Sequence, residues 1–192
     1  MGSMVRAQDL TVADIWGPGT PFRMNYVQEV RSMNDGEHFT QLEFSRAEGT
    51  MINKYSYASY EKVGTIASDK SIGGDFAGKL SIESYEFNAD ETQLLIATSI
   101  EPIFRYSFFA EYFIYDLEKK KLMPLSEKEG RQQLATFSPD GKRVAFVRDN
   151  NIFIRNLEDG SETTVTNDGK WNFIINGAAD WVYEEEFALT TG

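Results

Sequence analysis

Three consecutive glutamates, Glu184 to Glu186, follow Trp181 and Tyr183 near the end of the 192-residue sequence. On a β-strand, neighbouring side chains point to opposite faces, so Glu185 and Glu186 could not serve one ligand together. In a helical turn they are rotated by about 100° and can converge. Two converging carboxylates repel each other unless a cation lies between them. The motif therefore predicts a helical turn that binds an ammonium group, and the alternative is a solvated acidic run.

Other catalytic chemistry finds little support in the sequence. Serine hydrolysis needs a nucleophile, a histidine base and an orienting acid, and His38 is the one histidine present. It follows an Asn-Asp-Gly turn and is interpreted as an ordinary strand residue. There is no Gly-x-Ser-x-Gly nucleophile motif, and the sequence has no cysteine. We therefore expect no catalytic residue, no metal site and no cofactor in this chain.

The charge balance limits the choice of partners. Lysine and arginine total 19 against 30 acidic residues, which gives a formal net charge of −11. We expect neither nucleic acid nor an anionic membrane surface as a main partner. No apolar run approaches the ~18 residues needed to span a bilayer. Residues 1–7 lack the apolar core of a signal peptide and are interpreted as a disordered expression tag.

An internal repeat is the main organisational signal. "FNADETQLLIAT" from Phe87 and "FSPDGKRVAFVR" from Phe137 each join an aromatic residue, a polar turn and an apolar β-type run. A weaker copy, "SMNDGEHFTQLE", begins at Ser32. A predicted hairpin follows each of the two stronger copies, in residues 112–126 and 151–166. Four short strands per ~40 to 50 residues are typical of a β-propeller blade.

The repeat predicts an all-β fold, a partial β-propeller with blades near residues 30–80, 81–130 and 131–170. Residues 171–192 would begin a fourth blade. One short helix is expected at "TVADIW", with Thr11 as its N-cap. A propeller needs about four to eight blades to close, so we expect residues 8–192 to be an N-terminal fragment. Its uncovered blade edges predict self-association.

The middle blade departs from the repeat. It carries roughly ten extra residues between its first and third strands, in or beside "SIEPIFRYSFFAEY". Insertions in repeat arrays collect on loops of one face, often the binding face. Arg105 lies in this insertion and is a candidate binding residue. The alternative is a longer hairpin in which Arg105 pairs on the surface with Glu101 or Glu111.

Several stretches together resemble the dipeptidyl peptidase IV group of the prolyl oligopeptidase family. "DWVYEEEF" is similar to the glutamate motif of that family, and "FRYSFFAEYFIYDLEKKKL" is similar to its arginine segment. The stretches "SPDGKRVAFVRDNNIFIRNL", "LTVADIW" and "RSMNDGEHFTQLE" resemble its neighbouring parts. The resemblance covers the chain from about residue 8 to the end.

The resemblance implies an eight-bladed propeller followed by an α/β-hydrolase domain, which this chain would lack. It implies a serine exopeptidase that releases Xaa-Pro or Xaa-Ala dipeptides from peptides with a free N-terminus. Glu185 and Glu186 match the glutamates that bind the substrate amine. Arg105 matches the arginine that contacts a substrate carbonyl and steadies the glutamates. Glu184 would be the outward member of the triplet.

The same resemblance implies a periplasmic, secreted or cell-surface protein that is a homodimer at full length. The chain alone would have no peptidase activity. Two alternatives stay open: a non-catalytic propeller or inactive relative that binds protein partners, and a sibling peptidase that releases tripeptides. Reading frames with four more blades and a serine-bearing hydrolase domain would exclude the first alternative, and the length of the released product would decide the second.

Overall fold

The computed structural model describes residues 10–20, 22, 30–72 and 80–191, and the predicted tag at residues 1–7 lies outside them. A short helix comes first, α1 (Val12–Trp16). Thr11 caps it as predicted, because its side chain accepts a hydrogen bond from the Asp14 backbone N–H while the Asp14 carboxylate accepts one from the Thr11 N–H. The first antiparallel sheet has the order β1 (Arg31–Ser32), β2 (His38–Ser45), β3 (Gly49–Ser56) and β4 (Lys62–Ser68).

Two further groups of four strands follow, and then a second helix. The middle group is β5 (Ser84–Phe87), β6 (Gln93–Pro102), β7 (Phe108–Asp116) and β8 (Lys121–Pro124). The last group is β9 (Gln132–Phe137), β10 (Arg143–Arg148), β11 (Asn151–Asn156) and β12 (Glu162–Thr164), and helix α2 (Trp181–Phe187) comes after it. Neighbouring strands within each group are antiparallel. The predicted all-β class and both predicted short helices are confirmed.

Turn chemistry at the head of each repeat sets the strand register. In the middle group the Asn88 side-chain oxygen accepts hydrogen bonds from the N–H groups of Thr92 and Gln93. In the last group the Pro-Asp-Gly turn places Gly141 at φ +67°, a conformation in which a side chain would be strained. These turns depend on contacts between residues that are close in sequence.

The middle group is buried on both faces. Leu94 and Ile96 of β6 pack into a cluster with the first sheet, against Ile52 and Ala67. The alternate residues of the same strand pack into a second cluster with the last group; they include Leu95 and Ala97, against Val144 and Phe146. Because successive strand residues face opposite sides, a strand buried on both sides reads as a continuous apolar run. The run "LLIA" in β6 has this origin.

A buried ion pair lies within the last group of strands, and a hydrogen bond to Ser126, which follows β8, links it to the middle group. Arg148, at the end of β10, is 4% exposed. Its guanidinium donates to the Glu162 carboxylate at 2.8 Å and to the Ser126 hydroxyl at 2.6 Å, and it stacks on the Phe153 ring. Burial alone would raise the pKa of Glu162, but hydrogen bonds from Arg148, Ser126 and Lys128 outweigh it and lower that pKa to about 2.

The pair predicts a pH-dependent contribution to stability. Replacing Glu162→Gln should lower the free energy of unfolding by about 3 kcal/mol at pH 7, because Arg148 then stays buried without a counter-charge. A carboxyl group with a lowered folded-state pKa stabilises the fold above its ordinary value of 4.5, and that contribution is lost as the pH falls toward about 2. Urea unfolding should therefore show a smaller gap between the two proteins at pH 3 than at pH 7.

Glu158→Gln, on the exposed β11–β12 turn, is the matched control and should change stability by less than about 0.5 kcal/mol. An equal gap between wild type and Glu162→Gln at both pH values would contradict the assignment.

Candidate functional site

The glutamate motif forms a helical turn, as its chemistry requires. Helix α2 begins after Asp180, whose carboxylate accepts a hydrogen bond from the Tyr183 N–H at 3.0 Å. It ends at Ala188, which has the left-handed conformation at φ 55°. Because consecutive helical residues are rotated by about 100°, the three glutamates leave the helix in three directions. Each of them has a different environment.

Glu184 is the buried member of the triplet, which corrects the prediction that it points outward. It is 1% exposed. One carboxylate oxygen accepts hydrogen bonds from the backbone N–H groups of Tyr106 at 2.6 Å and Ser107 at 2.9 Å. Burial would raise the pKa of Glu184, but hydrogen bonds from Ser107 and Tyr106 lower it below its ordinary value. The carboxylate is therefore ionised at neutral pH.

The segment that meets Glu184 is the tip of an extended hairpin. Strands β6 and β7 continue to pair with each other beyond the residues that pair with β5, as far as Pro102 and Phe108. A register shift between Thr98 and Glu101 bends the hairpin away from the regular ladder. The loop at its tip, residues 103–107, is closed by a hydrogen bond from the Ile103 N–H to the Ser107 carbonyl at 2.9 Å. The corresponding strands β10 and β11 of the last group are joined by a tight turn.

Two charged side chains fix the base of this hairpin. At the register shift the Glu83 carboxylate accepts hydrogen bonds from the N–H groups of Ser99 at 2.8 Å and Ile100 at 3.3 Å. On the other side Arg131, which precedes β9, forms an ion pair with Glu101, and its guanidinium lies 5.2 Å from the centre of the Phe109 ring. The hairpin therefore has defined contacts at its base as well as at its tip.

Arg105 lies in the tip loop and pairs with the helix. Its Nη2 atom is 2.8 Å from Oε2 of Glu185. The predicted alternative, a surface pair of Arg105 with Glu101 or Glu111, is not observed, since Arg105 pairs with Glu185. Glu101 forms its ion pair with Arg131. The Arg105 side chain is 61% exposed and that of Glu185 18%. Donor groups of the guanidinium thus face solvent beside a half-buried carboxylate.

The side chain of Glu186 is exposed, and it makes no hydrogen bond or ion pair with any other residue that the structure describes. Arg105, Glu185 and Glu186 together have a formal net charge of −1, and the buried carboxylate of Glu184 adds a further negative charge. Such a site favours a small cation with several N–H donors. An ammonium group has three such donors and no acceptor, so carboxylates match it chemically.

The remaining candidate for chemistry, His38, lies at the start of β2. Its ring Nδ1 is 2.7 Å from an Asp35 carboxylate oxygen, and Lys54 shares the same carboxylate. Within the described ranges no group of three or more histidine and acidic side chains could hold a metal ion. No helix in those ranges is long and apolar enough to cross a membrane.

Sequence reasoning missed the contacts that shape the site. The anchoring roles of Glu83, Arg131 and Glu184 depend on partners distant in the chain. Glu83 accepts hydrogen bonds from backbone N–H groups at the register shift. One residue there, Ser99, has a positive φ of 54° although it is not glycine. A serine alone does not reveal such a bulge. The extra length of the inserted hairpin was the available signal, and it identified the segment without its partners.

Comparison with known proteins places this arrangement in a family. The model of the "Dipeptidyl peptidase IV (DPP IV) N-terminal region" matches residues 88–192, which include the inserted hairpin and helix α2. A probable dipeptidyl peptidase 4 of Aspergillus fumigatus is 43% identical over 104 residues, 54% of this chain and 13% of that protein. A probable dipeptidyl-aminopeptidase B of Tuber melanosporum is 47% identical over 107 residues, 52% of this chain and 12% of that protein.

Among solved structures, the crystal structure of Porphyromonas gingivalis dipeptidyl peptidase 4 superposes with a TM-score of 0.75 and 43% identity. The superposition covers 85% of this chain and 23% of that one. The chain thus spans a small part of the length of each relative. The family match covers more than half of the chain and includes Arg105, Glu184, Glu185 and Glu186. The chain belongs to the dipeptidyl peptidase IV N-terminal region family.

Proposed function

We propose that this chain is the substrate-recognition part of a serine-type dipeptidyl peptidase and that it binds the α-ammonium group of a peptide. Glu185 and Glu186 would accept hydrogen bonds from the ammonium. Arg105 would hold Glu185 in place and donate to a backbone carbonyl of the substrate. The observation that carries the proposal is the 2.8 Å contact between Arg105 and Glu185, which brings together a loop and a helix distant in sequence.

Electrostatics explain why such a site needs all three side chains. Two adjacent carboxylates repel each other, and a cation placed between them offsets that repulsion. The guanidinium of Arg105 offsets part of that repulsion at Glu185 while the peptide is away. Because Arg105 uses Nη2 for this contact, its other N–H groups stay available for a carbonyl oxygen. The N-terminal residue of a peptide presents both groups, since its carbonyl carbon lies two bonds from the ammonium nitrogen.

The charge requirement would make the enzyme an exopeptidase. An internal peptide bond offers no ammonium, and carboxylates desolvated without a partner cost several kcal/mol. Fixing the first residue at the glutamates would place the bond after the second residue at a constant distance from the site. The family resemblance implies that this second bond is the one cleaved, after proline or alanine.

Bond cleavage itself would lie in a part of the protein outside this chain. The described residues contain a single histidine, whose ring Nδ1 contacts the Asp35 carboxylate. We propose that an α/β-hydrolase domain with a serine, a histidine and an acid completes the enzyme. The relatives are several times longer than this chain, and they are named as dipeptidyl peptidases. Both facts support a protein in which substrate recognition and bond cleavage lie in different parts of the chain.

Loss of either ligand carboxylate should depress catalysis in the full-length enzyme. We expect Glu185→Ala and Glu186→Ala each to lower kcat/KM by about 10²- to 10³-fold for a chromogenic Xaa-Pro amide, since an ammonium that loses a charged partner costs about 2–5 kcal/mol. Glu158→Ala, which removes an exposed carboxylate on the β11–β12 turn, is the control and should leave kcat/KM unchanged. A near-normal value for either site variant would remove the assignment.

Blocking the substrate's charge should have the same effect as removing its partner. The wild-type enzyme should cleave an N-acetylated Xaa-Pro substrate at least about 10²-fold less efficiently than the free one. The ratio should shrink toward one in the Glu185→Ala and Glu186→Ala double variant, because neither substrate then finds a counter-charge. Equal cleavage of both substrates by the wild type would contradict ammonium recognition.

The size of the product tests the remaining step. Two peptides with a free N-terminus, one with proline only at its second position and one with proline only at its third, separate the cases by mass spectrometry: the first should release a dipeptide and the second should stay intact. Release of a tripeptide would identify a sibling peptidase with a longer spacing. No cleavage by the full-length protein would favour a non-catalytic propeller.

A further inference from the structure

We propose that Glu184 is a positioning residue for ammonium recognition: its buried carboxylate fixes the loop that carries Arg105 to the helix that carries Glu185 and Glu186. The inference rests on the proposed function, because it assigns Glu184 a role in the same site. Glu184 itself would touch no substrate, since it is 1% exposed.

The hydrogen bonds act on the backbone immediately beside Arg105. Tyr106 and Ser107, the next two residues of the loop, both donate their backbone N–H groups to one oxygen of Glu184, at 2.6 and 2.9 Å. Two donors on successive residues that meet one acceptor restrict both the position and the tilt of the loop. The Cα of Arg105 is therefore placed by contacts that do not involve its own side chain.

The charge of Glu184 is otherwise unexplained. A buried carboxylate is costly unless it is paired or hydrogen-bonded, and among the described residues Glu184 has no ion-pair partner. Hydrogen bonds from N–H groups to an ionised acceptor are roughly twice as strong as neutral ones. The pKa of Glu184 is lowered by the Ser107 and Tyr106 hydrogen bonds despite the opposing effect of burial. The residue thus uses its charge to bind a loop.

The loop needs such an anchor because its own contacts are few. Arg105 is 61% exposed, and Phe104 and Tyr106 on either side are exposed as well. Glu83 and Arg131 act at the base of the hairpin, several residues from the tip. Without Glu184 the tip would be held to α2 chiefly by the exposed end of the Arg105–Glu185 pair, and exposed pairs contribute little.

The consequence for catalysis is indirect but large. A ligand group misplaced by about 1 Å can cost about 10²-fold in rate. We expect Glu184→Ala in the full-length enzyme to lower kcat/KM for a free Xaa-Pro amide by about 10- to 100-fold, mainly through a higher KM. Because the effect travels through Arg105, it should nearly vanish on an Arg105→Ala background, so that the double variant equals Arg105→Ala alone.

Asp116→Ala is a matched control. Asp116 is also a nearly buried carboxylate that accepts two backbone N–H groups, those of Glu118 at 3.1 Å and Lys119 at 2.8 Å, but it lies at the opposite end of β7 from the hairpin tip. It should lower the thermal midpoint comparably and leave kcat/KM unchanged. A serine-directed fluorophosphonate, which needs no ammonium site, should label wild type and all variants equally if the hydrolase part is intact.

Glu184→Gln keeps an acceptor oxygen and serves if the alanine variant does not fold. It should raise KM by about 3- to 10-fold, again with no effect on the Arg105→Ala background. The proposal is overturned if Glu184→Ala, or Glu184→Gln in its place, leaves kcat/KM normal, or if its effect simply adds to that of Arg105→Ala. Normal kcat/KM in the Glu184 variant, together with strongly reduced kcat/KM in Glu185→Ala, would overturn the positioning role alone. Normal activity of Glu185→Ala and Arg105→Ala would overturn this inference and the proposed function together.

Discussion

The organisation of the site depends on one contact, that between the carboxylate of Glu184 and the backbone of the hairpin tip. It joins two segments nearly eighty residues apart in sequence, the tip of the hairpin and helix α2. A seven-residue helix is too short to be stable alone, and a five-residue loop with exposed side chains has little packing of its own. The hydrogen bonds at Glu184 hold the loop against the helix, and the Arg105–Glu185 pair lies beside them.

The scaffold behind this contact tolerates the insertion because its core lies elsewhere. The middle group of strands buries both faces, so its stability comes from residues such as Leu94 and Leu95 in the regular part of β6. The hairpin leaves that part beyond Thr98, where the register shifts and the buried run ends. A binding loop can therefore be lengthened at that end without disturbing the packing between neighbouring groups.

Local sequence signals predicted the strands and turns well, because their causes are local. The Pro-Asp-Gly turn at Gly141 and the cap at Thr11 depend on neighbouring residues alone. The helix at the glutamates was predictable from chemistry, since two carboxylates on a strand could not share a ligand. The orientation of Glu184 was predicted wrongly, because the direction of each glutamate depends on where the hairpin docks. Nothing within the triplet distinguishes the residue that docks from the two that stay accessible.

The single pairing between the last two groups of strands, Ala110 with Gln132, lies next to the base of the hairpin. Arg131 and Glu101 meet at the same place. The base of the hairpin thus lies at the junction between two strand groups, here called the seam, and its far end carries the guanidinium of Arg105. A small rotation at the seam becomes a larger displacement at the far end. The position of the tip thus depends on this seam as well, and substitutions that loosen the seam should displace Arg105 relative to helix α2 although they lie far from the tip.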